Sequence, residues 1–378
     1  MCGPPRGSRV LVALAALSGI APAWAAAAAD RYFGADLSFA NEMEDCGAVY
    51  RENGTPKDIY TIFKEHGANL IRIRLWNNAT WTKYSNVEDV KKSIARIRAL
   101  GMHVLLDFHY SDDWADGDKQ VIPAAWAGIK DEGELAQVLY RYTYDTLSTL
   151  DQAGLMPDMV QVGNEINQEL LGQADWKGRP INWERNARLL NAAIRAVRDA
   201  GAKSAIKPKV MIHIAQPENV EPWFAAAEAA GVTDFDVIGI SYYRKWSKET
   251  ITGLGDTIGR LGLAHPKAEV MVVETAYPWT LDWADDLRNQ LGQDALDPDY
   301  PATPAGQARY LIDLSQAVIS NGGVGVVYWA PDWVSTHCMT RWGPGSAWEN
   351  ATFFDFHHGD EVLPGIDFMS RVYANPAN

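Results

Sequence analysis

Leu70-Ile-Arg-Ile-Arg-Leu75, then Val87-Glu-Asp-Val-Lys-Lys-Ser-Ile-Ala-Arg-Ile-Arg-Ala-Leu-Gly101, then Val104-Leu-Leu-Asp-Phe-His109 form one unit of the chain, and its reading decides the fold. The outer two runs are short and rich in apolar residues, as buried strands are. Between them Val87, Val90, Ile94, Ile97 and Leu100 fall at helical spacing, with Lys and Arg on the other face. Gly101 then closes the helix as a C-cap. Strand, helix, strand in that order calls for parallel pairing of the two strands.

The same unit recurs along the chain. Further strand-like runs are Phe33–Ser38, Met159–Gly163, Val210–Ile214, Val237–Ser241, Val270–Glu274 and Val324–Trp329, which makes eight. Segments 134–150, 182–200 and 305–319 repeat the amphipathic helical pattern. No glycine-rich phosphate loop follows any strand. Eight alternations without such a loop favour an α/β fold closed as a single (β/α)8 TIM barrel, with long loops at the C-terminal face of the strands, over a doubly wound sheet. No Pro/Ser linker or charge block marks a second domain, so 30–378 reads as one catalytic domain.

Composition narrows the function. The 378 residues carry a formal net charge of -14, which excludes the basic footprint of a nucleic-acid binder. It also disfavours an anionic polymer as ligand. Trp and Tyr are abundant, at 15 each, which fits either a large core or flat surfaces for flat ligands.

Residues 1–25 read as a signal peptide, with cleavage as late as 29 as a second option. Arg6 and Arg9 give the positive region, Val10–Ile20 the apolar one, and Ala23-Trp24-Ala25 the small-residue cleavage site. A membrane anchor is the alternative, since the apolar run approaches spanning length; Gly19 and Pro22 favour cleavage. The mature protein is then expected to be secreted or periplasmic, with no membrane association, and monomeric. Loss of Cys2 leaves Cys46 and Cys338. Cys46 follows the first strand and Cys338 the eighth, and closure of a barrel makes those strands neighbours. In an oxidising compartment these two thiols are expected to form a disulfide, the alternative being two thiols that never meet.

Strand ends carry the chemistry in such barrels. Strand four ends in Gly163-Asn164-Glu165 and strand seven in Val273-Glu274. A carboxylate that closes a buried apolar strand is costly unless paired or set in a cleft. Two of them across a barrel mouth are the minimum equipment for glycoside hydrolysis. Either could instead be a structural partner of Arg72 or Arg74. Arg74, at the end of strand two, is suited to orient a carboxylate and keep it ionised. His109 ends strand three. Tyr242 and Tyr243 end strand six, where a phenol can hydrogen-bond a nucleophilic carboxylate; Tyr243 is the better candidate for core packing. Trp329 ends strand eight, as a floor beneath a sugar ring. Trp114 and Trp246, with other Trp of the loops, offer stacking surfaces, although some must be loop core. Metal chemistry has little support: no H-E-x-x-H is present, and neither is a G-x-S-x-G nucleophile elbow.

The strings Gly34-Ala-Asp-Leu-Ser38, Ile73-Arg-Leu-Trp76, Asp107-Phe-His-Tyr-Ser-Asp112, Gly163-Asn-Glu-Ile166, Ile240-Ser-Tyr-Tyr243, Val273-Glu-Thr-Ala-Tyr277, Tyr328-Trp-Ala-Pro331 and Ser346-Ala-Trp-Glu-Asn350 resemble glycoside hydrolase family 53. The resemblance runs from about Phe33 to the C-terminus. It implies a retaining endo-β-1,4-galactanase acting on the galactan side chains of pectin. It further implies Glu165 as acid/base, Glu274 as nucleophile, Asn164 at the sugar 2-OH and Arg74 in support of the nucleophile. Asp112, Trp114 and Trp246 are expected to join His109, Tyr242 and Trp329 in binding substrate. Some members bind calcium in the loops after strands seven and eight. The segment Asp294-Ala-Leu-Asp-Pro-Asp-Tyr300 does not match that ligand pattern, and the chemistry requires no cofactor. The alternatives are a mannanase or xylanase of the same clan, or a catalytically silent sugar-binding barrel.

Overall fold

Eight parallel strands, β1 (Tyr32–Asp36), β2 (Leu70–Leu75), β3 (His103–Phe108), β4 (Met159–Val162), β5 (Lys209–Ala215), β6 (Val237–Ser241), β7 (Glu269–Glu274) and β8 (Gly325–Trp329), pair in sequence order, and β8 closes on β1. This computed structural model describes residues 1–3, 30–172 and 180–375. The segment read as a signal peptide, apart from its first three residues, lies outside the described residues. Arg31–Asn378 forms one unit. No helix among the described residues is long and apolar enough to cross a membrane.

Period-two alternation gives each strand two jobs. On β2, Ile71, Ile73 and Leu75 join the large cluster beneath the helices. Leu70, Arg72 and Arg74 take the other face. Leu70 packs with Leu105, Met159, Met211, Val237 and Met271 in the barrel interior. One pleat nearer the C-terminal end the interior turns polar: Arg72, Asp107, Gln161 and His213 are all fully buried there. Apolar filling below and polar groups above is what positions the site.

The helices form the outer ring. They are α1 (Ala40–Asp45) and α2 (Ile59–Glu65) before β2, then α3 (Val87–Ala99), α4 (Glu132–Gln152), α5 (Trp183–Lys203), α6 (Pro217–Ala229), α7 (Ile251–Ala264) and α8 (Pro304–Ser320). Asn86 caps α3 by accepting from the Glu88 and Asp89 amides. Gly101 follows α3 at φ +68°, the left-handed C-cap read from the sequence. After β8 a 3-10 segment, Pro364–Ser370, takes the place of the helix that follows each of the other strands.

Cys46 and Cys338 are joined, with Cα atoms 5.6 Å apart and a sequence separation of 292. The bridge ties the loop after β1 to the long loop after β8. A cross-link over so long a loop restricts the unfolded chain strongly. Cys46→Ser is expected to lower stability by about 2–4 kcal/mol, read by urea unfolding of native and variant protein. A loss under about 1 kcal/mol would mean that the loop is already held by its other contacts. Those include Arg341 on Asp113 at 2.6 Å, Ser335 on Asp285 at 2.5 Å and the Tyr50 hydroxyl on the Asp332 carbonyl at 2.7 Å.

Candidate active site

At the end of β4 the chain turns sharply. Gly163 has φ +90°, and a Cβ there would lie 2.6 Å from Ile166 Cγ2. Glu165 itself is held at φ +44°, an uncommon conformation for a side-chain-bearing residue and one found at functional sites. The turn brings Asn164 and Glu165 to the barrel mouth. Glu274, at the end of β7, faces them and is 5 % exposed.

Arg72 sits beneath this pair with all three of its guanidinium nitrogens engaged. Its Nη1 contacts Glu274 Oε1 at 2.7 Å and Asp36 Oδ2 at 2.9 Å. Nη2 contacts Asp107 Oδ2 at 2.8 Å and Asn164 Oδ1 at 2.7 Å, and Nε donates to Gln161 Oε1 at 3.2 Å. A guanidinium matched to that many acceptors is fixed in position. Glu274 also accepts from the Tyr243 hydroxyl at 3.1 Å and from Ser241 Oγ at 3.5 Å. Glu165 accepts from Ser241 Oγ at 2.6 Å and from the Gly117 amide at 3.3 Å. One hydroxyl thus lies between the two carboxylates. Their nearest oxygens are no farther apart than the sum of its two contacts.

Burial pushes both carboxyls up, Glu274 to about 8 despite Arg72 beside it. Glu165 rises by burial and by the nearby Asp116, with the Ser241 hydroxyl opposing. Two facing carboxylates in such a site titrate as a pair. The guanidinium and the phenol favour the ionised form at Glu274. Among the described residues Glu165 has no cation in contact, so the shared proton belongs there.

The sequence reading placed Arg74 at the nucleophile, and the structure corrects this to Arg72. Both share one face of β2, but Arg74 lies one pleat higher, past the barrel mouth. There its guanidinium stacks on Trp114 at 4.2 Å and Trp76 at 4.3 Å and donates to Ser85 Oγ. It supports an aromatic platform and does not line the cleft. Tyr242 is corrected to Tyr243. Ser241 points inward, so Tyr242 points outward, where its hydroxyl meets the Glu249 carbonyl at 3.0 Å, and Tyr243 returns to the mouth. His109 is buried with both nitrogens engaged, Nε2 with Asp107 and Nδ1 with the Ala115 amide. Burial lowers its pKa, and its place is under the Trp114 loop. Asp112 braces loops by accepting from the Asn78 and Ala124 amides.

Asn164, Trp114, Trp246 and Trp329 do line the cleft, with Glu165 and Glu274. Asn164 Nδ2 donates to the Ala115 carbonyl, which leaves one amide hydrogen without a partner among the described residues. The cleft measures about 1260 Å³, larger than the ~300–1,000 Å³ of ordinary small-molecule pockets. One end is walled by Trp329, Trp333, Trp342 and Trp348. The other runs past β4 and β5 to Trp183 and to one stripe of α6, Asn219, Pro222, Trp223 and Ala226. Sequence reading did not single out that stripe, although its i, i+3, i+4, i+7 spacing was there to see.

In the segment expected to hold calcium in relatives, Asp294 pairs with Lys245 at 2.9 Å and Asp297 with Arg244 at 3.1 Å. These carboxylates are already matched by the chain's own cations, so they do not fit a calcium site. Among the described residues no three His, Cys, Asp or Glu side chains are grouped to hold a metal ion.

Comparison with known proteins agrees with this geometry. Residues 32–369 match the model of glycosyl hydrolase family 53. An arabinogalactan endo-beta-1,4-galactanase of Cellvibrio japonicus is 53 % identical over 343 residues, 90 % of this chain and 91 % of the relative. The endo-beta-1,4-galactanase of Bacillus subtilis is 32 % identical, over 86 % and 82 %. Among solved structures, the family 53 catalytic domain of Ignisphaera aggregans superposes with a TM-score of 0.82 at 34 % identity, covering 91 % of this chain and 97 % of that one. A xylanase A catalytic core, at 13 % identity and a TM-score of 0.53, shares the fold alone. The chain belongs to glycosyl hydrolase family 53.

Proposed function

We propose that this protein is a secreted or periplasmic, monomeric endo-β-1,4-galactanase that cleaves galactan and arabinogalactan side chains of pectin with retention of configuration. The names of its relatives and the shape of the cleft support the reaction; the placement of the carboxylates supports the mechanism. Ser241 Oγ, 2.6 Å from Glu165 and 3.5 Å from Glu274, is the observation that carries it. The nearest carboxylate oxygens therefore fall short of the ~6.5 Å at which the spacing of inverting enzymes begins. Such a spacing leaves less room for an attacking water than inverting enzymes provide, which supports a double displacement.

In this mechanism Glu165 starts protonated and gives its proton to the glycosidic oxygen. Glu274, ionised on Arg72 and Tyr243, attacks the anomeric carbon and forms a glycosyl ester. The leaving chain departs along the Trp183 and α6 side, next to β4. Glu165, now a base, takes a proton from the water that cleaves the ester. Trp329 and Trp114 form stacking faces on the other side of the bond. An acidic protein suits this neutral polymer.

Product analysis on a polysaccharide panel tests the proposal. Linear β-1,4-galactan is expected to yield oligosaccharides whose new reducing ends are initially all β by NMR. Release from β-mannan or xylan but not galactan would replace the substrate with that of another clan member. No release from any of them would leave a silent binding barrel.

A further inference from the structure

We propose that Ser241 is a positioning residue whose hydroxyl follows the negative charge from Glu274 to Glu165 and back during each turnover. The inference rests on the double-displacement reading above.

Ser241 is the last residue of β6 and is fully buried. The β6–β7 register slips between Ile240 and Ser241, so Ser241 stands opposite Glu274. Its oxygen has three neighbours: Glu165 Oε1 at 2.6 Å, Glu274 Oε2 at 3.5 Å and His213 Nε2 at 2.8 Å. The histidine fixes what the hydroxyl can do. His213 Nδ1 faces two donors, Gln161 Nε2 at 3.1 Å and the backbone N–H of Glu165 at 3.3 Å, against one acceptor, Asn164 Oδ1 at 3.0 Å, which already accepts from Arg72 Nη2 at 2.7 Å; Nδ1 is therefore the acceptor and the ring proton sits on Nε2. Burial holds His213 neutral, with Arg72 adding to the effect. Nε2–H therefore donates to Ser241 Oγ. The serine keeps one hydrogen of its own, and among the described residues only the two carboxylates stand to receive it.

The reaction moves charge between those two groups. Before attack Glu274 is ionised and Glu165 carries the proton. Once the ester forms, Glu274 is neutral and Glu165, having given its proton to the leaving oxygen, is the anion. A rotation of one hydroxyl serves both states. No bond is made or broken at Ser241, and its proton stays on its oxygen. The other charged and titratable groups facing the pair are Arg72, Asp36, Asp107, Asp116, Tyr243 and His213. None of them contacts both carboxylates through a hydrogen that can turn.

The test is the pH profile of kcat/KM on an aryl β-galactoside for native protein, Ser241→Ala and Ser241→Thr. A donor to an ionised carboxylate lowers its pKa, so losing it raises that pKa. The alkaline limb, set by Glu165, is expected to move up by about one pH unit in Ser241→Ala. The acid limb, set by Glu274, should move up less, because the hydroxyl lies farther from it. Ser241→Thr keeps the hydroxyl and should return both limbs toward native. A general loosening of the site would lower the height of the profile and leave the limbs in place. Unmoved limbs in Ser241→Ala, a larger shift on the acid side, or a Thr variant that behaves as Ala would overturn the assignment. Product configuration, followed by NMR in the same preparations, separates the two levels. Inverted products would defeat the double-displacement reading itself, whereas retained products with unmoved limbs defeat only the role of Ser241.

Discussion

Glu274→Ala is expected to reduce hydrolysis of galactan by roughly ten-thousandfold or more, since the step that forms the covalent intermediate is lost. Azide is expected to restore turnover on an activated aryl galactoside and to give the glycosyl azide of inverted configuration. The small anion fits where the carboxylate was cut away and attacks from the same face. Glu165→Ala should behave differently. Polymer cleavage needs a proton on a poor leaving group, so it falls by about 100- to 10,000-fold. An aryl galactoside with a good leaving group needs little protonation and should lose much less in its first step. Steady-state rates on both substrates, with and without azide, give four numbers for each variant. If azide rescues Glu165→Ala to an inverted product and leaves Glu274→Ala silent, the two roles are exchanged. The contacts favour the order given: Arg72 at 2.7 Å and Tyr243 at 3.1 Å hold charge on Glu274, and Glu165 has no such cation among the described residues.

Arg72→Met is expected to cost about 5 kcal/mol of stability, near the upper end for breaking a buried ion pair, because one guanidinium serves three carboxylates. Asp36, Asp107 and Glu274 all lie within 2.9 Å of it. Burial alone would push Asp107 up, and Arg72 with His109 instead holds it below the usual carboxylate value. Without Arg72 the folded-state pKa values of Asp107 and Glu274 must rise. A carboxyl whose folded pKa exceeds its unfolded value loses stability as pH rises through the interval between them. The penalty should therefore be larger at pH 8 than at pH 5. Urea unfolding at the two pH values checks this. An equal loss at both would mean that packing, and not charge, is what Arg72 supplies. Arg72→Lys should recover only part, since one ammonium cannot match five acceptors in a plane.

The barrel was legible because its strands are buried on both faces and so read as apolar runs with sharp ends. Helices α3, α4, α5 and α8 were legible because charged residues mark their outer faces. α6 and α7 were harder. α6 splits its apolar residues between the core, with Val220 and Phe224, and the cleft, with Pro222 and Ala226, so no clean polar face remains. α7 carries four glycines, which argue against a helix on propensity alone. Gly255 has a packing reason: a Cβ there would come within 2.6 Å of Asn321 Nδ2. At the site, the facing strand ends of Glu165 and Glu274 could be read from sequence. The choice between Arg72 and Arg74 could not. They share a face, and only register decides which is level with Glu274: Arg72 stands beside Asp36 of β1 and Leu105 of β3, inside the closed barrel. Tyr243 was within reach of simple alternation, counted from Ser241. The link from Ser241 to His213 and both carboxylates joins four strands and has no signature along the chain.

The bond between Cys46 and Cys338 also changes what a peptidase can do to this molecule. It turns the chain from Cys46 to Cys338, nearly the whole barrel, into a covalent ring. A single cut anywhere between the two cysteines opens the ring into a line but releases nothing. The severed strands keep their neighbours, and the two new ends stay tethered through the sulfurs. Exposed stretches on that arc, such as the segment around Trp283 or the Lys248–Glu249 corner, can be nicked without loss of a fragment. The barrel behaves as a hoop with one clasp, and two cuts are needed before a piece of it can leave.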